Sequence, residues 1–167
     1  MNAAFHEYFM KMALREAEKA AADGEVPAGC VIVRRPADPD APPAAARILA
    51  RAHNQPEGLC DATAHAEMLA LSAASDATGN WRLADTVLYV TKEPCPMCAG
   101  AIALARVPLV VWGVSDQKRG GETVFGIFAH SGMNHHPETV AGILEDPCKA
   151  VLVDFFRRRR AESADRT

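Results

Sequence analysis

This 167-residue chain lacks any apolar run of the roughly 20 residues that a bilayer crossing requires; its most apolar stretch, Ala99 to Val114, is broken by Arg106 and Pro108. No membrane span is expected. Excess positive charge is lacking too: 18 Lys plus Arg stand against 21 Asp plus Glu, a formal charge of -3, so any nucleic-acid contact must rest on a local basic patch. Cysteine is sparse and odd in number, five in all, which provides no disulfide framework. The first residues, Met1 to Glu7, lack the basic start and apolar run of a secretory leader. These features set the expectation of a reducing cytoplasm. Disorder-prone composition is also missing: 49% hydrophobic and 23% charged residues suit a chain with a real core.

The length predicts one domain, over 1–160, followed by a frayed tail at 161–167. Phe5, Phe9, Met12, Ala13, Ala17 and Ala20 recur at steps of three and four, an amphipathic helix that should stop at Asp23-Gly24. Val26 to Val33 reads as a buried strand with Pro27 at its start, and Arg47 to His53 as a second. The four prolines between Arg35 and Ala44 exclude regular structure and mark a surface loop, and a turn is expected at Asn54 to Gly58. Ala64 to Ala74 predicts a helix, Thr86 to Thr91 a strand, Pro96 to Ala105 a helix, Leu109 to Val114 a strand and Pro147 to Arg160 a last helix. This alternation predicts an α/β chain with three αβα layers and a sheet that is at least partly parallel.

Two short segments carry chemistry: His65-Ala66-Glu67, near the head of one predicted helix, and Pro94-Cys95-Pro96-Met97-Cys98, at the head of another. Zinc favours imidazole and thiolate, and catalytic zinc sites keep three protein ligands and an open position, which His65, Cys95 and Cys98 can provide. Pro96 suits a first helical position, making Cys95 the N-cap with Cys98 one turn along, where unpaired amides favour thiolates. His65 and Glu67 would point about 200° apart in mid-helix, so both can serve one centre only if the metal lies off the helix's N-terminal end. Glu67 then has the position of a general acid and base rather than a ligand. Two alternatives remain: a closed structural zinc with Cys60 as fourth ligand, and a redox pair at Cys95 and Cys98. Cys30 and Cys148 read as core thiols, and His53, His130, His135 and His136 as surface or hydrogen-bonding groups.

The H-x-E and P-C-x-x-C pair is the signature of zinc nucleobase deaminases. With Glu25-Val26-Pro27-Ala28-Gly29, Ala52-His53-Asn54, Asp116-Gln117-Lys118, Gly132-Met133-Asn134-His135 and Asp154-Phe155-Phe156-Arg157, the chain resembles the bacterial tRNA-specific adenosine deaminases of the cytidine deaminase-like superfamily from about Phe5 to Arg160. The resemblance implies a cytidine deaminase-like fold with a central mixed sheet of about five strands. It further implies one zinc ion per subunit on His65, Cys95 and Cys98, with Glu67 shuttling protons. Asn54, Val26, Ala66 and Pro94 would bind the base, and Asp116, Lys118, Arg119, Phe156 and Arg157 are candidate RNA contacts. The implied reaction is adenosine to inosine at the wobble position of tRNA, with the anticodon loop as substrate and a homodimer as the working form.

The chain departs from the family after Lys118, where Arg119-Gly120-Gly121-Glu122-Thr123-Val124-Phe125-Gly126 replaces a stretch of small residues. An acid at Glu122 would be penalised beside phosphates, which motivates a second reading: a deaminase of a free base, nucleoside or nucleotide of guanine or cytosine type. A non-catalytic, zinc-stabilised RNA-binding module is the third reading, motivated by Cys60.

Overall fold

In the computed structural model, which describes residues 1–38 and 40–164, a mixed five-stranded sheet is ordered β2-β1-β3-β4-β5. Its strands are β1 (Gly29–Arg34), β2 (Ile48–His53), β3 (Thr86–Lys92), β4 (Leu109–Val114) and β5 (Glu138–Val140). The helices are α1 (Ala3–Ala22), α2 (Pro56–Leu59), α3 (Ala66–Thr78), α4 (Pro96–Leu104) and α5 (Glu145–Ala164). β1 pairs antiparallel with both β2 and β3, whereas β3, β4 and β5 run parallel.

The central strands read as continuous apolar runs because both of their faces are covered. On one face Ile32, Leu88, Val90 and Val110 pack with Ala70 and Ala74 of α3 and Ala99, Ile102 and Ala103 of α4. On the other, Val31, Val33, Val87, Tyr89 and Val111 meet Phe5, Phe9, Met10 and Ala13 of α1 and Cys148 of α5. These are the three expected layers. Cys30 and Cys148 are buried core thiols, as expected.

Sheet polarity decides where chemistry can sit. β3 and β4 end at the same edge, and the antiparallel register pairs the start of β1 with the end of β2, Gly29 opposite His53. The loops carrying Val26, Asn54, Cys95 and Asp116 therefore converge beyond the carboxyl ends of the parallel strands, where open α/β sheets bind ligands.

Some boundaries differ from expectation for physical reasons. β1 starts at Gly29, not Val26, because the chain turns first, with the Ala28 amide donating to the Val26 carbonyl at 2.8 Å. α3 begins at Ala66 and runs to Thr78, stopped by Gly79 at φ +61°. α5 starts at Glu145, since Pro147 is tolerated in a first turn, and it continues to Ala164 where a frayed tail was expected. Residues 165–167 of that expected tail lie outside the described residues. Two short elements had no sequence signature: α2, formed where a turn was expected, and the three-residue edge strand β5. The proline-rich loop holds one 3₁₀ turn at Pro43–Ala45, while Pro39 lies outside the described residues.

Candidate active site

His65 and Cys95 are the N-cap residues of α3 and α4, and neither side chain caps its own helix. Their side chains instead face one another across the gap between the two helix tips. His65 Nδ1 lies 3.6 Å from Cys95 Sγ and 3.5 Å from Cys98 Sγ, and the sulfurs are 3.6 Å apart. A tetrahedral zinc with ordinary bond lengths demands S···S of about 3.8 Å and S···N of about 3.6 Å, so the three donors stand at ligand spacing. Among the described residues no fourth His, Cys, Asp or Glu joins this cluster. Cys60 is exposed, with Sγ directed at the Glu57 carbonyl, so the closed Cys₃His set is not formed.

The cap that His65 does not give to α3 comes from another segment: Asn54 Oδ1 accepts from the Ala66 amide at 2.9 Å. This fixes the Asn54 amide group at the pocket wall. Glu67, in the first turn of α3, is buried beside the cluster, and burial pushes its carboxyl above the ordinary range. The hydrogen bond between Cys95 and Cys98 holds Cys95 down at about 4, with His65 adding to the effect, while the same contact and burial push Cys98 up. Cys95 is thus the readier thiolate, and its hydrogen bond raises His65.

These groups sit in a pocket of about 740 Å³ lined by Val26, Asn54, His65, Glu67 and Cys95. The zinc-binding region of cytidine and deoxycytidylate deaminases matches residues 3–114. The chain belongs to that deaminase family. As a member, it is 44% identical over 154 residues to the tRNA-specific adenosine deaminase of Streptococcus pyogenes, covering 92% of this chain and 91% of that one. A solved structure from work on A-to-I editing by tRNA deaminases at the wobble position of transfer RNA is 37% identical, with a TM-score of 0.78 over 87% of this chain and 99% of that one. Guanine deaminase from Bacillus subtilis is also 37% identical, but with a TM-score of 0.56 over 69% of this chain and 66% of that one.

The family's zinc assignment and the fold expected for it agree with this site and this sheet. The other expected residues fall into place unevenly. Val26 is 40% exposed and presents an apolar side chain to the pocket. Ala66 and Pro94 are buried and offer mainly backbone: the Ala66 amide is held by Asn54, and the Pro94 carbonyl accepts from Gly121 at 2.8 Å. Asp116, Lys118, Arg119 and Phe156 all line the pocket. Arg157 does not; it pairs with Asp154 at 2.9 Å, and Arg159 occupies the pocket wall instead. The reason is helical phase, because Leu152, Phe155, Phe156 and Arg159 share one stripe of α5 and Arg157 lies off it.

Glu122 is not among the residues that line the pocket. Its Oε2 accepts from the Phe128 amide at 2.7 Å, so the carboxylate turns inward to close its own loop. Two acids of the pocket wall are engaged in the same way. Glu25 accepts from the Glu57 and Gly58 amides, and Glu93 from the amides of Asp116, Glu122 and Thr123. Burial opposes ionisation of Asp116, yet the Lys92 ammonium and the Lys118 and Arg119 amides outweigh it and hold the carboxyl down at about 2. The histidines read as hydrogen-bonding groups behave so: His135 and His136 meet the carbonyls of Val107 and Phe128, and His53 lies between Glu16 and Asp23.

Proposed function

We propose that this chain converts adenosine to inosine at the wobble position of tRNA by hydrolytic deamination. The observation that carries the reading is one pocket with two chemistries: a three-donor zinc cluster beside buried Glu67 at the floor, and Lys118, Arg119, Phe156 and Arg159 in the outer wall. Of the two motives for the free-base reading, Glu122 lies outside the pocket wall with its Oε2 accepting from the Phe128 amide, and the acidic balance of the chain as a whole still leaves Lys118, Arg119 and Arg159 together at the pocket. The non-catalytic reading loses its motive, since Cys60 stands away from the cluster.

His65, Cys95 and Cys98 would hold zinc, which when bound supplies the Lewis acidity that makes water nucleophilic near neutral pH. Glu67 takes the proton from the attacking water and delivers it to N1 of the purine; a proton returned through the same carboxyl leaves with ammonia, so C6 exchanges its amino group for oxygen. Its raised affinity for protons suits a group that must both accept and give. Asn54, its Oδ1 committed to Ala66, offers its amide hydrogens to the base, and Val26 supplies an apolar wall. Ala66 and Pro94 shape the base site through their backbone. Anticodon-loop adenosine is already unpaired, so turning it into the pocket costs only a few kcal/mol.

The reading includes a cytoplasmic homodimer; exposed Leu104, Val124 and Phe125 are apolar groups of the kind that a second subunit would cover. No helix among the described residues is long and apolar enough to cross a membrane. The test is incubation of the zinc-loaded protein with adenosine-wobble tRNAs of its host, read by inosine content, with free adenosine, guanine and cytidine in parallel. Inosine in tRNA alone is the expected result. Absence of inosine in every such tRNA would overturn the reading.

A further inference from the structure

Glu93 has no part in the proton chemistry, yet it is among the most buried polar groups of the chain, 2% exposed. It follows the last residue of β3 and precedes the zinc-ligand segment, and its carboxylate is filled from a loop distant in sequence. Oε1 accepts from the Thr123 amide at 2.7 Å and the Glu122 amide at 3.2 Å. Oε2 accepts from the Asp116 amide and the Thr123 hydroxyl, each at 2.8 Å. Four donors on one carboxylate hold the two ends of a tight loop together.

The loop is shaped around that group. A Cβ on Gly120 would lie 2.5 Å from Cδ and both oxygens of Glu93, so only glycine lets the backbone pass this close. One on Gly121 would lie 2.6 Å from Ala99 Cβ of α4 and 2.9 Å from the Pro94 carbonyl oxygen. Asp116, whose amide Glu93 holds, extends the arrangement: its Oδ1 accepts from the Lys118 and Arg119 amides at 2.9 and 3.0 Å, while its Oδ2 pairs with Lys92. Two carboxylates in series thus set the backbone from which Lys118 and Arg119 rise at the pocket mouth.

We infer that Glu93 is a positioning residue for RNA binding: its buried carboxylate shapes the 116–123 loop so that Lys118 and Arg119 meet the backbone phosphates flanking the target nucleotide. This rests on the tRNA reading above. Glu93 acts through the loop and not on the base, so substrate affinity should depend on it while the chemical step does not.

The experiment compares wild type with Glu93→Gln and with Gly120→Ala, which disturbs the same contact without altering charge. Binding of an anticodon stem-loop is measured against salt, together with zinc content and the single-turnover rate at saturating RNA. Both variants are expected to bind about tenfold more weakly and to lose about 1.4 from the slope of log affinity against log salt, the share of two phosphate contacts on single-stranded RNA. Zinc should stay at one per chain and the saturated rate within about threefold. A merely structural role would not produce the third expected result: adding Lys118→Ala and Arg119→Ala to Glu93→Gln should cost little more, because released cations no longer contribute. Unchanged affinity and slope, or zinc and rate lost in step with binding, would overturn the assignment. If wild type makes no inosine, the functional reading fails; if wild type is active and both variants bind RNA normally, only the role of Glu93 falls.

Discussion

The floor of the pocket and its mouth are built by contrasting means. The floor comes from two contiguous segments, 65–67 and 94–98, each set on the N-terminus of a helix packed into the core. The mouth is gathered from the end of β3, the loop after β4 and one face of α5, parts that share no local pattern. Chemistry is thus held by short rigid motifs, and recognition by long-range hydrogen bonds to buried carboxylates. Changes at the floor should abolish turnover or metal, while changes at the mouth should shift affinity and salt response.

Glu67→Gln should break the floor most severely. It keeps shape and metal but removes the proton acceptor, a contribution worth about 10² to 10⁴ in rate. Turnover near the wild-type value with zinc still bound would exclude Glu67 from the mechanism. Cys98→Ser should come next, and by another route. Zinc at a hundred times its Kd adds about 2.7 kcal/mol to folding. Losing most of it should lower Tm by about 5 to 11 °C for a chain of this size. Equal Tm for the two proteins in zinc and after chelation would remove Cys98 from the ligand set.

How far each region could be read from the sequence follows from the same contrast. The core strands were legible because burial on both faces leaves an apolar run, and Leu109–Val114 matches its expected bounds. Cys95 as N-cap followed from Pro96 alone. Glu93 carries no local signal because its partners lie more than 20 residues away; the one hint is an acid directly after an almost fully buried strand, with a Gly120-Gly121 pair further along the chain. The orientation of Glu122 is likewise not readable, since no motif marks a carboxylate that accepts from the amide six residues on, at Phe128. Arg159 is legible in principle: its spacing of three, four and seven from Phe156, Phe155 and Leu152 marks the pocket face, whereas the resemblance points to Arg157.

Asn54 stands where floor and mouth meet, and two substitutions divide its roles. Asn54→Ala removes the acceptor of the buried Ala66 amide and should cost about 1 to 3 kcal/mol of stability. Asn54→Asp retains that acceptor, but it loses the amide hydrogens facing the pocket and adds a negative charge at a buried position. The aspartate variant should therefore lose substrate affinity by more than the alanine variant while keeping the cap on Ala66, with affinity and thermal unfolding measured on the same proteins. If it bound RNA as tightly as wild type, Asn54 would be a helix cap and no more.

The smallest effect should come from the arginines of α5, and it tests the mouth directly. Arg159 faces the pocket beside Phe156, while Arg157 is 72% exposed in its side chain and engaged with Asp154. If phosphates meet this face, Arg159→Ala should reduce the salt slope of RNA binding by about 0.7, the share of one contact on a single strand. Arg157→Ala, at a comparable loss of net charge, should leave the slope within error. An equal response to both substitutions would mean that the tail acts as a diffuse positive field and that the geometry of the α5 face carries no recognition.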